Sequence, residues 1–325
     1  MNILFNTYPY AFHQKGGGEI QLLKYKEYLS KINVNVKLFD LWSPNFYEYD
    51  LVHFFSCFGG SIPFCEFVKS LNIPLVVSSS LWISNDNKDQ YDINSIAYQL
   101  NVADLIITNS EIESKQLSSV LQINKEKFCN IYNATDSNFN EVIDDNFLIK
   151  YKINSDYILN VANIEKRKNQ LSLAKALLDF PDYKLIIIGN IRDKSYYDEV
   201  KKVLKDRLMV IDFLSHDSQL LKSAFKNCAL FALPSLLETP GIAAIEAALF
   251  NKPILITKIG STKEYFGNHV FYVDPYSIHS ISKAIKKAKS QKNSNLSNII
   301  RNNFIWDKSA LKLKEVYKNI IQKKH

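Results

Sequence analysis

Two carboxylates, Glu238 and Glu246, stand about two helical turns apart in the nearly uncharged stretch ALFALPSLLETPGIAAIEAALFNKPILIT. The stretch reads as strand (229–233), loop (234–238), helix (240–250) and strand (253–257). Thr239 is the expected N-cap and Pro240 the first helical residue, where a missing N–H costs nothing. The helix is apolar nearly all round and therefore expected to be buried. A carboxylate inside it, Glu246, is costly unless something specific hydrogen-bonds it. Glu238 precedes the helix start, whose unsatisfied N–H groups and dipole favour an anion. Gly241 leaves room for a ligand to approach the backbone. The pattern suits a diphosphate on the amides near Gly241 and Ile242, joined to two polyhydroxyl groups that the carboxylates hold.

The whole context, PSLLETPGIAAIEAALFNKPILIT, resembles the glutamate-pair motif of the retaining nucleotide-sugar glycosyltransferases of family four. The resemblance implies that Glu238 contacts the donor sugar and Glu246 the nucleotide ribose. It also implies a GT-B architecture: two Rossmann-like, doubly wound α/β domains facing across a cleft. Further expectations come with it. In ILNVANIEKRKNQLSL, Lys168 aligns with the family's diphosphate-binding lysine, whereas Asn163 stands where the family has arginine. Gly189 matches a glycine near the nucleobase, and Gly16, Gly17 and Gly18 match the first loop, near the donor phosphates. Gly260, Ser261 and Glu264 resemble a later Gly-Gly-x-x-Glu element, with Glu264 structural. Ser80 stands where the family often has an acceptor-side histidine, so His13 and His53 become acceptor-side candidates beside it. The implied reaction moves a sugar from a nucleotide diphosphate to the hydroxyl of a saccharide or lipid-linked acceptor, with retention and without a bound metal or cofactor. Cell-envelope polysaccharide or glycan synthesis is the expected setting. Two other readings stay open: a non-catalytic subunit or scaffold, supported by Asn163 and Ser80, and a nucleotide-sugar 2-epimerase, which needs more cleft His, Asp and Glu than the sequence offers.

The elements that must position these residues alternate along the chain. Strands are expected at 2–6, 34–39, 51–54, 74–78, 105–109 and 128–132, with helices at 19–32, 63–71, 93–101 and 111–121. Ser110 and Glu113 read as a capping box for the last of these. The acidic, polar stretch Asn140–Lys152 suits a linker. A second alternation has strands at 157–161, 183–188 and 209–213, the opening stretch, and a strand near 270–273. Its helices fall at 170–178, 196–204, 217–227 and 277–289, and a final helix at 308–322 is expected to cross back onto the first domain. Such alternation implies parallel sheets with helices on both faces and ligand sites at the strands' carboxyl ends. The expected domains are 1–145 on the acceptor side and 146–305 for the nucleotide sugar, with 306–325 as the returning helix.

A chain of 325 residues, 46% apolar and 22% charged, is that of a globular protein with room for two cores. The net charge of +7 is spread as scattered lysines. No basic stripe or recognition motif supports nucleic-acid binding. The basic face of the first helix (Lys24, Lys26, Lys31) suits peripheral contact with an anionic membrane. Four cysteines without metal spacing, no leader and no long apolar run point to the cytoplasm, or to the inner face of its membrane.

Overall fold

The computed structural model describes residues 1–14, 16–57, 60–142, 144, 146–290 and 295–323. In chain order the first half contains β1 (Asn2–Thr7), α1 (Gly17–Lys31), β2 (Asn35–Leu38), β3 (Leu51–Phe55), α2 (Ser61–Ser70), β4 (Leu75–Ser78), α3 (Ile93–Val102), β5 (Leu105–Thr108), α4 (Glu111–Leu121) and β6 (Phe128–Asn130). The second half contains α5 (Phe147–Lys150), β7 (Tyr157–Val161), α6 (Gln170–Ala176), β8 (Lys184–Ile188), α7 (Lys194–Leu204), β9 (Leu208–Ile211), α8 (Gln219–Asn227), β10 (Leu230–Leu233), α9 (Ile242–Leu249), β11 (Ile254–Thr257), α10 (Thr262–Phe266), β12 (Phe271–Val273), α11 (Ile278–Ser290) and α12 (Leu296–Asn303). The last helix, α13, spans Trp306–Gln322.

The chain divides into two compact units, Met1–Ala134 with Trp306–His325, and Thr135–Ile305. Each has its own apolar core and, among the described residues, its own six-stranded parallel sheet. The apolar runs in β4, β8, β10 and β11 are buried on both faces, as parallel strands covered by helices must be. In the first unit the strand order is β2-β1-β3-β4-β5-β6. There α13 packs on α1, with Trp306 edge-on to Tyr25 at 5.5 Å.

The second sheet runs β12-β11-β10-β7-β8-β9. Numbered from β7, that is the doubly wound order 3-2-1-4-5-6, whose direction reverses between its first and fourth strands, β7 and β10. The loops leaving β7 and β10 lie there, at the carboxyl ends of the strands. Those loops carry Lys168 and Glu238.

Local chemistry moved several boundaries. Helix α1 starts at Gly17, because the Glu19 carboxylate accepts the Gly16 N–H at 2.7 Å and caps the turn that the glycines occupy. At α4, Ser110 Oγ accepts from the Glu113 N–H (3.0 Å), but the Glu113 carboxylate does not return to Ser110. It accepts instead from the backbone N–H groups of Asn109 (2.9 Å) and Leu81 (3.1 Å) and the Ser79 hydroxyl (2.9 Å). The expected capping box is thus half formed, and its second half ties α4 to the end of β4. Within the stretch expected as a linker, α5 buries Phe147 completely and packs on α8. Positions 143 and 145 of that stretch lie outside the described residues, as does position 15 beside the glycine loop. The basic face expected on α1 is partly neutralised: Glu27 pairs with both Lys24 (3.1 Å) and Lys31 (2.7 Å), and Lys24 is buried. Among the described residues no helix is long and apolar enough to cross a membrane.

Candidate functional site

The site in the second unit is assembled by hydrogen bonds between two loops. Residues 166–168 form a short 3₁₀ turn after β7. Asn169 follows in the left-handed region (φ 58°), which asparagine tolerates. Its side-chain amide donates to the carbonyls of Pro234 (2.9 Å) and Pro275 (2.7 Å). Buried Gln170 donates to the Asn163 carbonyl at 2.9 Å, and the Leu236 N–H donates to the Arg167 carbonyl at 2.9 Å. The loop after β7 is thereby fastened to the loop after β10. The consequence is a close ion pair, Lys168 Nζ to Glu238 Oε1 at 2.6 Å. Glu238 is 5% exposed and the Lys168 side chain 14%. At that burial an ammonium beside the carboxylate matters, since water screens neither well.

Glu238 is also held through its backbone. Its N–H donates to the Ile259 carbonyl (3.2 Å), and its carbonyl accepts from Ser261 (3.1 Å), forming a parallel bridge to Gly260. The chain then passes Thr239 and Pro240 and turns at Gly241 (φ 86°) into α9, which begins at Ile242. The helix start expected at Pro240, with Thr239 as its cap, is therefore corrected: Gly241 is the N-cap. The bridge to Gly260 keeps the chain extended past Glu238, and a positive φ is needed to bring it onto the helix axis. A Cβ on Gly241 would lie 3.0 Å from Glu238 Oε2, so the carboxylate sits against the helix entry. The carbonyl of Gly241 accepts from Ala244 and Ile245, which leaves the amides of Ile242 and Ala243 at the open first turn.

Glu246 lies about one turn into α9 and is 2% exposed. Its Oε1 is 3.1 Å from His216 Nδ1, and His216 Nε2 is 3.5 Å from Asp136 Oδ2. The sequence does not mark Asp136, and marks His216 only as the end of the loop Phe213–His216, which the family resemblance places near the nucleobase. Beyond that, only the position of a lone histidine between a strand end and a helix start could have flagged it. Asn163 Oδ1 accepts the Asn190 N–H at 3.2 Å, so this side chain links the loops after β7 and β8. Gly189 makes the same junction possible, because a Cβ there would meet the Ala162 carbonyl oxygen at 2.3 Å. Arg167, the nearest arginine to Lys168 in sequence, pairs with Glu165 at 3.0 Å and is half exposed. Glu264 lies in the first turn of α10. Among the described residues no three His, Cys, Asp or Glu side chains are grouped as a metal ion would require.

In the first unit, Gly16 caps α1, and Gly17 and Gly18 form its opening turn. His13 is exposed in a short 3₁₀ turn before them. Ser80 is exposed, with φ 44°, and its hydroxyl donates to Gln21 Oε1 at 3.4 Å. His53 is sealed inside β3. Its Nδ1 meets the Tyr317 hydroxyl at 2.5 Å and its Nε2 the Ser78 hydroxyl at 2.8 Å. A neutral imidazole donates through one nitrogen and accepts through the other, which two hydroxyls satisfy. Both nitrogens are engaged and the residue is 0% exposed, so His53 joins α13 to the sheet rather than facing an acceptor. Burial pushes its pKa from 6.5 down to about 3. Unfolding therefore takes up a proton below pH 6.5, and His53 contributes stability that is lost as the pH falls from there toward about 3. A urea-midpoint profile of His53→Gln should be shallower over that range than the parent's. An unchanged profile would contradict the neutral, enclosed histidine. The first unit also has an apolar concavity of about 460 Å³, lined by residues including Phe39, Leu41, Phe46, Tyr47, Phe64 and Phe67. No titratable group except the Tyr47 phenol lines it, so it offers little for acid–base chemistry.

Residues 145–305, almost the whole second unit, match the family model of the glycosyl transferases group 1. The chain is 24% identical over 236 residues to the serotype-specific mannosyltransferase WbdA of Escherichia coli, covering 66% of this chain and 28% of that protein. It thus spans under a third of that relative's length. An uncharacterized glycosyltransferase of Methanocaldococcus jannaschii is 24% identical over 64% of this chain and 61% of its own. Among solved structures, a sucrose-phosphate synthase from Thermosynechococcus elongatus superposes with a TM-score of 0.81 at 16% identity, covering 99% of both chains. Anabaena HepE in complex with UDP-glucose gives 0.79 at 18% identity, over 98% of this chain and 100% of that one. The chain therefore has the two-unit α/β fold of the GT-B glycosyltransferases.

Proposed function

We propose that this chain, whose second unit carries the group 1 glycosyl transferase domain, is a retaining, family-four enzyme. It moves a sugar from a nucleotide diphosphate sugar to a hydroxyl of a saccharide or lipid-linked acceptor. The observation that carries the reading is the Lys168–Glu238 pair at the open first turn of α9, with Glu246 buried about one turn further along the helix. A leaving diphosphate needs positive charge and preorganised donors at its oxygens. Lys168 and the amides of Ile242 and Ala243 supply both. Glu238 faces the sugar hydroxyls and the positive charge developing at the anomeric carbon. Glu246 accepts from the ribose. The departing phosphate takes the acceptor proton, so no side-chain base is required. The relatives support the class of reaction: WbdA is a mannosyltransferase, and HepE binds UDP-glucose. WbdA's serotype-specific role also supports a cell-envelope glycan as product.

Asn163 shapes the expected activity. Its side chain is taken by Asn190, so Lys168 faces the diphosphate without the family's arginine. That favours weak donor binding and, together with Ser80, keeps a non-catalytic role as a second reading. The test is incubation with labelled UDP-glucose and GDP-mannose, following binding and slow hydrolysis. Saturable binding with sugar release supports the enzyme. Binding without release over days supports the non-catalytic reading, and no binding at about millimolar donor, near the weakest physiological KM values, overturns the enzyme reading.

A further inference from the structure

We infer that His216 is a positioning residue for Glu246, held between that carboxylate and Asp136, and that it sets nucleotide affinity more than turnover. The inference rests on the nucleotide-sugar reading given above.

His216 lies in the loop joining β9 to α8, Glu246 on α9, and Asp136 at the start of the second unit. The ring stands between two carboxylates, at 3.1 Å from Glu246 and 3.5 Å from Asp136. A neutral imidazole has one N–H and serves one carboxylate; the imidazolium has two and serves both. The ring is fixed from its face as well. Phe139 packs on it at 5.1 Å between centroids and is itself packed by Phe225 and Phe250. The Asp136 loop is anchored by Arg301, whose guanidinium donates to the Ser137 carbonyl and to Asn140. The other charged groups of the β9–α8 loop and of α8 are Asp212 and Asp217 in the loop, and Lys222 and Lys226 of α8, the Lys222 ammonium lying 5.8 Å from the Phe139 ring.

The other side chains of α9 are alanine, leucine and isoleucine, so the contact with His216 reaches Glu246 from outside its own helix. His216 fixes where one carboxylate oxygen lies before any ligand arrives. A ribose then meets an acceptor already oriented, and the ordering cost is not charged to binding. With the ring deprotonated one of the two carboxylates loses its donor; with the ring absent both do, and Glu246 is no longer held in that position. The chemistry predicts affinity for the nucleoside diphosphate that declines as His216 loses its proton.

The experiment measures UDP and GDP affinity, donor KM and kcat for the parent, His216→Phe and His216→Gln across the range in which histidine titrates. His216→Phe should weaken the preferred nucleotide about tenfold, a change worth about 1.4 kcal/mol, and raise KM by more than it lowers kcat. His216→Gln keeps one donor and should recover most of the affinity while losing its pH dependence. Thermal melting checks that each variant is folded, and His216→Gln carries the test if His216→Phe is not. If the parent binds nucleotide and both variants bind within twofold of it at every pH, the positioning role is overturned and the donor site stands. A fall in kcat with no change in nucleotide affinity also overturns it. If the parent itself binds no nucleotide, the functional reading fails and takes this inference with it.

Discussion

Lys168→Ala is expected to lower kcat/KM about 10²–10³-fold, the scale of losing one preorganised donor at a developing charge. It should also cost about 1–3 kcal/mol of stability, because Glu238 is left buried without its cation. The two effects separate in a double-mutant cycle. Adding Glu238→Ala removes the unpaired charge, so stability should return toward the parent while activity stays lost. A lysine that serves only to neutralise Glu238 would behave differently. Lys168→Ala would then destabilise the protein and leave turnover of the folded fraction intact. Assay at fixed folded concentration, with urea midpoints for all four proteins, decides between the two. The geometry behind the expectation is the 2.6 Å contact at the switch point of the second sheet, where Asn163 is held by Asn190 and Arg167 pairs with Glu165.

Gly260→Ala is expected to be the most disruptive small substitution in the second unit. A Cβ at Gly260 would fall 2.0 Å from the Glu238 carbonyl oxygen, and its φ of 111° strains any L side chain. Backbone cannot yield as a flexible side chain does, so the bridge to Glu238 must open. Overpacking and positive-φ strain together should cost about 3 kcal/mol or more. For a unit of this size that lowers the melting temperature by about 6–12 °C. Turnover should fall further than stability explains, because the same bridge holds Glu238 at the helix entry. Gly18→Ala is the control. No heavy atom lies within 4 Å of its Cβ position, in the first turn of α1. It should leave stability unchanged or raise it by about 0.5 kcal/mol. A Gly260→Ala protein that melts like the parent would contradict the bridge as the device that sets Glu238.

Much of the fold was legible because parallel strands in a two-layered sheet announce themselves as short apolar runs. The runs in β4, β8, β10 and β11 could be nothing else, and the helices between them carried caps and a 3.6-residue period. Short elements escaped. Helices α5, α10 and α12 are too brief for a periodic signal, and α5 sits in a polar stretch that reads as linker until Phe147 is seen buried. The start of α9 escaped for a different reason. Thr239 and Pro240 are good local signals for a helix start, but a long-range bridge from Glu238 to Gly260 overrides them. The carboxylates and Lys168 could be singled out from their types and neighbours. Their partners could not, because His216 and Asp136 reach Glu246 from positions distant in sequence. His53 illustrates the converse. Its position at a strand suggested a site, and only the burial of Tyr317 and Ser78 around it shows a structural role.

The separate duties proposed for the two glutamates are tested most directly with the nucleoside diphosphate alone, lacking its sugar. Calorimetric titration of UDP and GDP into the parent, Glu246→Ala and Glu238→Ala reads the ribose contact apart from the sugar contact. Glu246→Ala should weaken the preferred nucleotide by about tenfold or more, the loss of about 1.4 kcal/mol expected for one charge-assisted hydrogen bond. Glu238→Ala should bind the bare nucleotide within about twofold of the parent, a difference under 0.5 kcal/mol, while failing to release sugar from the intact donor. Equal effects of the two substitutions on the bare nucleotide, or none from either, would contradict the assignment.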